Sequence, residues 1–151
     1  MKNFKDNNEI LDFAIENEQT SIDFYTQLAK ETNNRQIQEL FEEFAKEEEK
    51  HKYRLTKIKE DKKVVLQEYD IIDMKISDYF VSKPKTKELS YQEALILAMK
   101  REKAAFKLYK KLSEMTEDAE LKEIFLQLAN EEAKHKMNFE IEYDNIIYKG
   151  N

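Results

Sequence analysis

Phe44-Ala45-Lys46-Glu47-Glu48-Glu49-Lys50-His51 and Leu128-Ala129-Asn130-Glu131-Glu132-Ala133-Lys134-His135 are the two stretches whose reading decides the fold. Both place a glutamate three residues before a histidine among good helix formers, and positions i and i+3 share one face of a helix. His51 and His135 are the only histidines in the sequence. The offset between them, 135 − 51 = 84 positions, also carries Leu11 onto Leu95, Ala14 onto Ala98, Glu18 onto Glu102, Tyr25 onto Tyr109, Leu28 onto Leu112, Phe41 onto Phe125 and Ala45 onto Ala129, without a gap. The two halves read as copies of one helical unit.

Around these stretches apolar residues recur at three- and four-residue spacing, which predicts four amphipathic helices. The first, over 8–31, lines up Leu11, Ala14, Ser21, Tyr25 and Leu28; the second, over 34–60, lines up Ile37, Phe41, Phe44, Leu55 and Ile58. The third follows the capping box Ser90-Tyr91-Gln92-Glu93 and carries Leu95, Ala98, Ala105, Tyr109 and Leu112. The fourth, over 118–147 with Asp118 as its cap, carries Leu121, Phe125, Leu128, Phe139 and Ile146. Short turns at Thr32-Asn33-Asn34 and Thr116-Glu117-Asp118 make each pair an antiparallel hairpin. One domain over 1–151 is expected, with a hairpin repeat at 8–60, a crossover at 61–89 and a second hairpin repeat at 90–147. The crossover holds the only proline, and its Lys83-Pro84-Lys85-Thr86-Lys87 run reads as solvated linker. The fold class is all-α: a four-helix bundle of two duplicated helical hairpins joined by a long crossover.

Composition agrees. One glycine and one proline in 151 residues are too few breakers for a sandwich, barrel or doubly wound sheet. The 38% of charged residues against 40% of hydrophobic ones is the balance of long amphipathic helices. With no cysteine there is no disulfide, thiolate metal site or cysteine nucleophile. A net charge of −6, with lysine and glutamate interleaved, lacks the gathered basic face of a nucleic-acid binder. The polar start has no signal-like run, and no segment nears the roughly 20 apolar residues of a membrane span. A cytoplasmic protein is expected, with neither nucleic acid nor membrane as partner.

Six ionisable residues interrupt the apolar stripes: Glu18, Glu48, His51, Glu102, Glu132 and His135. The midpoint of 18 and 48 is 33 and that of 102 and 132 is 117, and both fall in predicted turns. At 1.5 Å per residue, each glutamate pair then sits about 22 Å from its turn, near mid-height of the bundle. Four buried carboxylates without counter-charge would repel one another and lose hydration. Two divalent cations would neutralise them, and bridging carboxylates hold two metals roughly 3.5 to 4 Å apart. Oxygen and imidazole donors suit iron or manganese, and would also bind zinc or cobalt. Tyr25 and Tyr109 follow Glu18 and Glu102 by two turns on the same stripe, as donors to ligand carboxylates across the bundle or as plain core aromatics. Glu47 and Glu131 rotate about 100° off the seam and read as surface residues.

A glutamate followed about thirty residues later by Glu-x-x-His, twice over, resembles the rubrerythrin branch of the ferritin-like di-iron carboxylate proteins. Ala14-Ile15-Glu16-Asn17-Glu18, Phe24-Tyr25 and the stretch 44–51 are similar to that family's first two helices. The resemblance implies a ferritin-like bundle holding two iron ions, with Glu18 and Glu102 as terminal ligands and Glu48 and Glu132 as bridging ones. His51 and His135 would give each metal one imidazole. It implies a non-haem di-iron oxidoreductase that reduces hydrogen peroxide, or dioxygen, in oxidative-stress defence. Alternatives are a ferroxidase or other iron-handling protein, and a structural metal-binding bundle without turnover. The sequence departs from the family twice: it lacks the four-cysteine rubredoxin domain, which implies a separate electron donor such as a rubredoxin, and it has Ala105 where typical members carry an extra glutamate. A homodimer is expected, with hairpin exchange between chains a natural form of it.

Overall fold

Local chemistry starts three of the four helices. In the computed structural model, which describes residues 7–61 and 90–149, the helices are α1 (Asn7–Glu31), α2 (Arg35–Asp61), α3 (Tyr91–Met115) and α4 (Ala119–Lys149). Before α2, the Asn34 side-chain oxygen accepts from the amides of Gln36 and Ile37. At α3, Ser90 Oγ accepts from the Glu93 amide while Glu93 accepts from the Ser90 amide, completing the predicted capping box. Asp118 accepts from the amides of Glu120 and Leu121 at the start of α4. Caps of this kind are worth about 1 kcal/mol each. Every boundary lies within two residues of its predicted place. The predicted crossover at 61–89, with its lysine-rich linker, lies outside the described residues except for Asp61, which closes α2.

The bundle follows from where the apolar stripes can be covered. α1 packs on α2 and α3 on α4, and the two hairpins meet along α1 and α3. The core separates into two clusters. One joins Leu11 of α1, Leu55 and Ile58 of α2, Leu108, Leu112 and Met115 of α3, and Leu121, Phe125 and Leu128 of α4. The other joins Phe24, Tyr25 and Leu28 of α1, Phe41 and Phe44 of α2, Leu95 and Ala98 of α3, and Phe139 of α4. Each cluster takes the beginning of one helix and the end of its hairpin partner, so the two turns lie at opposite ends of the bundle.

Burying a leucine or phenylalanine fully contributes about 1.5–3 kcal/mol, and both clusters contain several such side chains. That is what offsets the cost of the layer between them, where ionisable groups replace the hydrocarbon. The second cluster is aromatic. Phe44 and Phe139 pack with ring centroids 4.3 Å apart, and Tyr25 lies against Phe41 at 6.0 Å and Phe139 at 5.8 Å. These contacts fix the Tyr25 ring and so aim its hydroxyl into the polar layer.

Candidate metal centre

All six residues that interrupt the stripes meet in that layer. Glu18 comes from α1, Glu48 and His51 from α2, Glu102 from α3, and Glu132 and His135 from α4. The two histidines and four glutamates are all buried. The imidazole rings face each other almost in parallel, 10° apart in plane and 5.8 Å between centroids. Nδ1 of each ring points inward. His51 Nδ1 lies 2.7 Å from Glu132 Oε1, 3.7 Å from Glu18 Oε1 and 4.0 Å from Glu48 Oε2. His135 Nδ1 lies 3.2 Å from Glu48 Oε1, 3.5 Å from Glu102 Oε2 and 3.7 Å from Glu132 Oε1. Glu48 thus turns one oxygen toward each histidine, and a single oxygen of Glu132 is near both.

These atoms are close without being hydrogen-bonded. Glu18 Oε2, Glu48 Oε1, His51 Nδ1, Glu102 Oε2, Glu132 Oε1 and His135 Nδ1, one atom from each residue, are buried with no hydrogen-bond partner. Orphaned buried acceptors are costly, at about 1–3 kcal/mol each and more when charged. Atoms that bind one cation at about 2.1 Å and at right angles sit about 3 Å apart, which is the spacing seen between the nearest of them. The residues fall into two overlapping groups able to hold a metal ion, Glu18-Glu48-His51-Glu132 and Glu48-Glu102-Glu132-His135, each with its donor atoms within 4.8 Å of one another. Glu48 and Glu132 belong to both.

Electrostatics point the same way. Burial, then repulsion from Glu102, Glu132 and Glu18, pushes the Glu48 carboxyl well above its usual range. Burial with the charges of Glu102 and Glu18 does the same to Glu132. Burial also works against the charged form of Glu18, but the nearby Glu48 and His51, with the Tyr109 hydroxyl, outweigh it and lower that pKa. For His51, burial opposes the imidazolium, yet the facing carboxylates of Glu131 and Glu18 push its pKa up to about 10.

The tyrosines cross over. Tyr25 of α1 donates to Glu102 of α3 at 2.7 Å, and Tyr109 of α3 donates to Glu18 of α1. Burial first, then the nearby carboxylate charge, raises both phenols well above their normal pKa, so both remain donors.

Three residues have roles that the sequence reading did not assign. Glu131, read as a surface residue, is only half exposed; its Oε1 faces His51 Nε2 at 3.8 Å and its Oε2 accepts from Arg54 at 2.7 Å. Its copy Glu47 pairs with Lys50 on its own helix, as a surface residue should. Periodicity within α4 does not reveal Glu131, because its partners come from α2; the signal in the sequence is an arginine three residues after His51. Arg101, beside Glu102, is buried with its guanidinium 4.6 Å from the centre of the Phe24 ring, a cation–π contact.

The rubrerythrin family model matches residues 9–143. The chain belongs to the rubrerythrin family. Membership makes it a ferritin-like protein of the di-iron oxidoreductase kind, and the buried glutamate–histidine groups fit the iron that rubrerythrins typically bind. A solved structure of a hypothetical protein from Pyrococcus furiosus is similar, at 26% identity and a TM-score of 0.71 over 93% of this chain and 89% of that one. No curated protein gives a significant match. Among the described residues, no helix is long and apolar enough to cross a membrane.

Proposed function

We propose that this chain is a rubrerythrin-type di-iron oxidoreductase that reduces hydrogen peroxide to water, with dioxygen as the other oxidant. The supporting observation is the pair of overlapping four-residue groups that share Glu48 and Glu132. In this reading Glu18, Glu48, His51 and Glu132 would hold one ion, and Glu48, Glu102, Glu132 and His135 would hold the other. Four carboxylates balance two dications, which removes the repulsion that otherwise pushes Glu48 and Glu132 toward protonation. The chemistry that iron would supply there is two electrons and Lewis acidity toward the oxidant, for the balance H2O2 + 2e− + 2H+ → 2H2O.

The chain supplies the rest. Tyr25 and Tyr109 hold the outer carboxylates Glu102 and Glu18 in fixed orientations by donating to them. The apolar clusters on either side of the polar layer keep bulk water from its two ends. None of the 151 residues is a cysteine that could hold a thiolate iron centre, and in this reading a separate protein such as a rubredoxin is the electron donor. Manganese or zinc would substitute in binding. The setting is cytoplasmic oxidative-stress defence by a homodimer, with hairpin exchange as one route to it.

The test is to purify the protein from an iron-supplemented culture, count its metals, reduce it anaerobically, and mix it with peroxide or dioxygen while recording near-ultraviolet absorbance. Two irons per chain and a faster change with peroxide are expected. A faster change with dioxygen would replace this reading with iron oxidation and handling. Two bound metals indifferent to both oxidants would leave a structural bundle.

A further inference from the structure

The duplicated halves are not equal where they touch the histidines. His51 has both ring nitrogens buried without a hydrogen-bond partner. Its Nδ1 faces the shared carboxylates, so the neutral ring carries its proton on Nε2, and the acceptor that Nε2 faces is Glu131 Oε1. Glu131 is in turn held from the far side by Arg54, which bonds its other oxygen. The 3.8 Å gap between Nε2 and Glu131 is within reach of a side-chain rotation. Carboxylate, imidazole and cation in series is the arrangement that fixes the tautomer and angle of a ligating histidine and strengthens it as a donor.

The other half lacks every part of this. Glu47, the copy of Glu131, is taken by Lys50. The copy of Arg54 is Asn138, which has no charge with which to hold a carboxylate. His135 instead packs edge-on against Phe44, with centroids 5.0 Å apart, and keeps 10% of its side chain exposed. Among the described residues, the carboxylates within ion-pair range of His135 all face its Nδ1.

We propose that Glu131, held by Arg54, is a positioning residue for His51, and that it makes the two cation positions unequal, the Glu18-Glu48-His51-Glu132 position filling before the one that contains His135. This rests on the metal-binding part of the reading above and is independent of the oxidant. Orientation by such a partner is worth about 10- to 100-fold in metal affinity, enough to separate two otherwise equivalent sites.

Only two histidines are present, so their side-chain nitrogens can be followed individually by 15N NMR while zinc(II) is added to metal-free protein. With one equivalent, the Nδ1 signal of His51 should move and that of His135 stay; the second equivalent should move His135. Glu131→Ala should still take two zinc ions but lose the order, with His51 binding weakened about 10- to 100-fold. Glu47→Ala, the matched change in the other repeat, should keep the wild-type order. Glu131→Gln keeps an acceptor for Nε2–H and should restore part of the order, a rescue that a merely structural role would not give. The proposal is overturned if His135 moves first, if both histidines move together in the wild type, or if Glu131→Ala keeps the order. If neither histidine responds to two equivalents, the metal-site assignment fails as well.

Discussion

Glu48 and Glu132 are the residues on which the charge balance turns. Each is buried among other carboxylates and pushed well above the usual carboxyl range, while His51 is pushed up to about 10. All three shifts have one sign, and above pH 6.5, where Glu18 and Glu131 with their lowered pKa values are ionised whether folded or not, the folded, metal-free protein binds more protons than the unfolded chain. The His51 contribution to stability is complete below its unfolded pKa of 6.5 and disappears as the pH rises through about 10. Metal-free protein should therefore melt at progressively lower temperature between pH 6.5 and 10, whereas cation-loaded protein should not follow it, because deprotonated ligands bind metal more tightly. Thermal melts with chelator and with zinc(II) across that interval check this; parallel curves would contradict the shared-site geometry. These residues were legible in the sequence because each interrupts an apolar stripe at a height fixed by counting from a turn. Glu131 was not, because what pulls it toward His51 is an arginine of another helix, and helical periodicity sees one helix at a time.

At the scale of the helix, the same counting works because the elements are long and their ends are marked by side chains that bond free amides. The Ser90–Glu93 box is a local signal read directly from four residues, and it sits where predicted. Ser90→Ala should cost about 1 kcal/mol, measured as a shift in denaturant midpoint with unchanged slope. An unchanged midpoint would mean that Ser90 does not cap α3. Asn34 bonds two amides ahead of α2 in the same way, although the sequence offered it only as a turn residue. The split of the core into two clusters on either side of the polar layer was not legible. The stripes name the residues that face inward, but which ends of which helices share a cluster depends on the hairpins lying antiparallel.

The whole molecule is two hairpins that meet along α1 and α3, share both apolar clusters, and bring their ionisable residues together in the polar layer. Each group of four takes donors from both hairpins, so a bound cation ties the halves together. Filling one position at a hundredfold excess over its Kd would stabilise the fold by about 2.7 kcal/mol, or roughly 5–10 °C in Tm for a chain of this size. Glu48→Ala, which removes a donor common to both groups, should abolish most of that gain in differential scanning calorimetry. Equal melting of wild type and variant, with and without Fe(II), would refute the six-residue assignment.

The crossed tyrosine bonds bear on ancestry. Tyr25 serves a carboxylate of the second repeat and Tyr109 one of the first, and neither repeat alone supplies either group of four. A protein made of one such hairpin would possess this chemistry only in pairs, with a true two-fold axis between its copies. Within one chain the copies need not match, and Arg54 in one repeat against Asn138 in the other gives the equivalent glutamates Glu131 and Glu47 different partners.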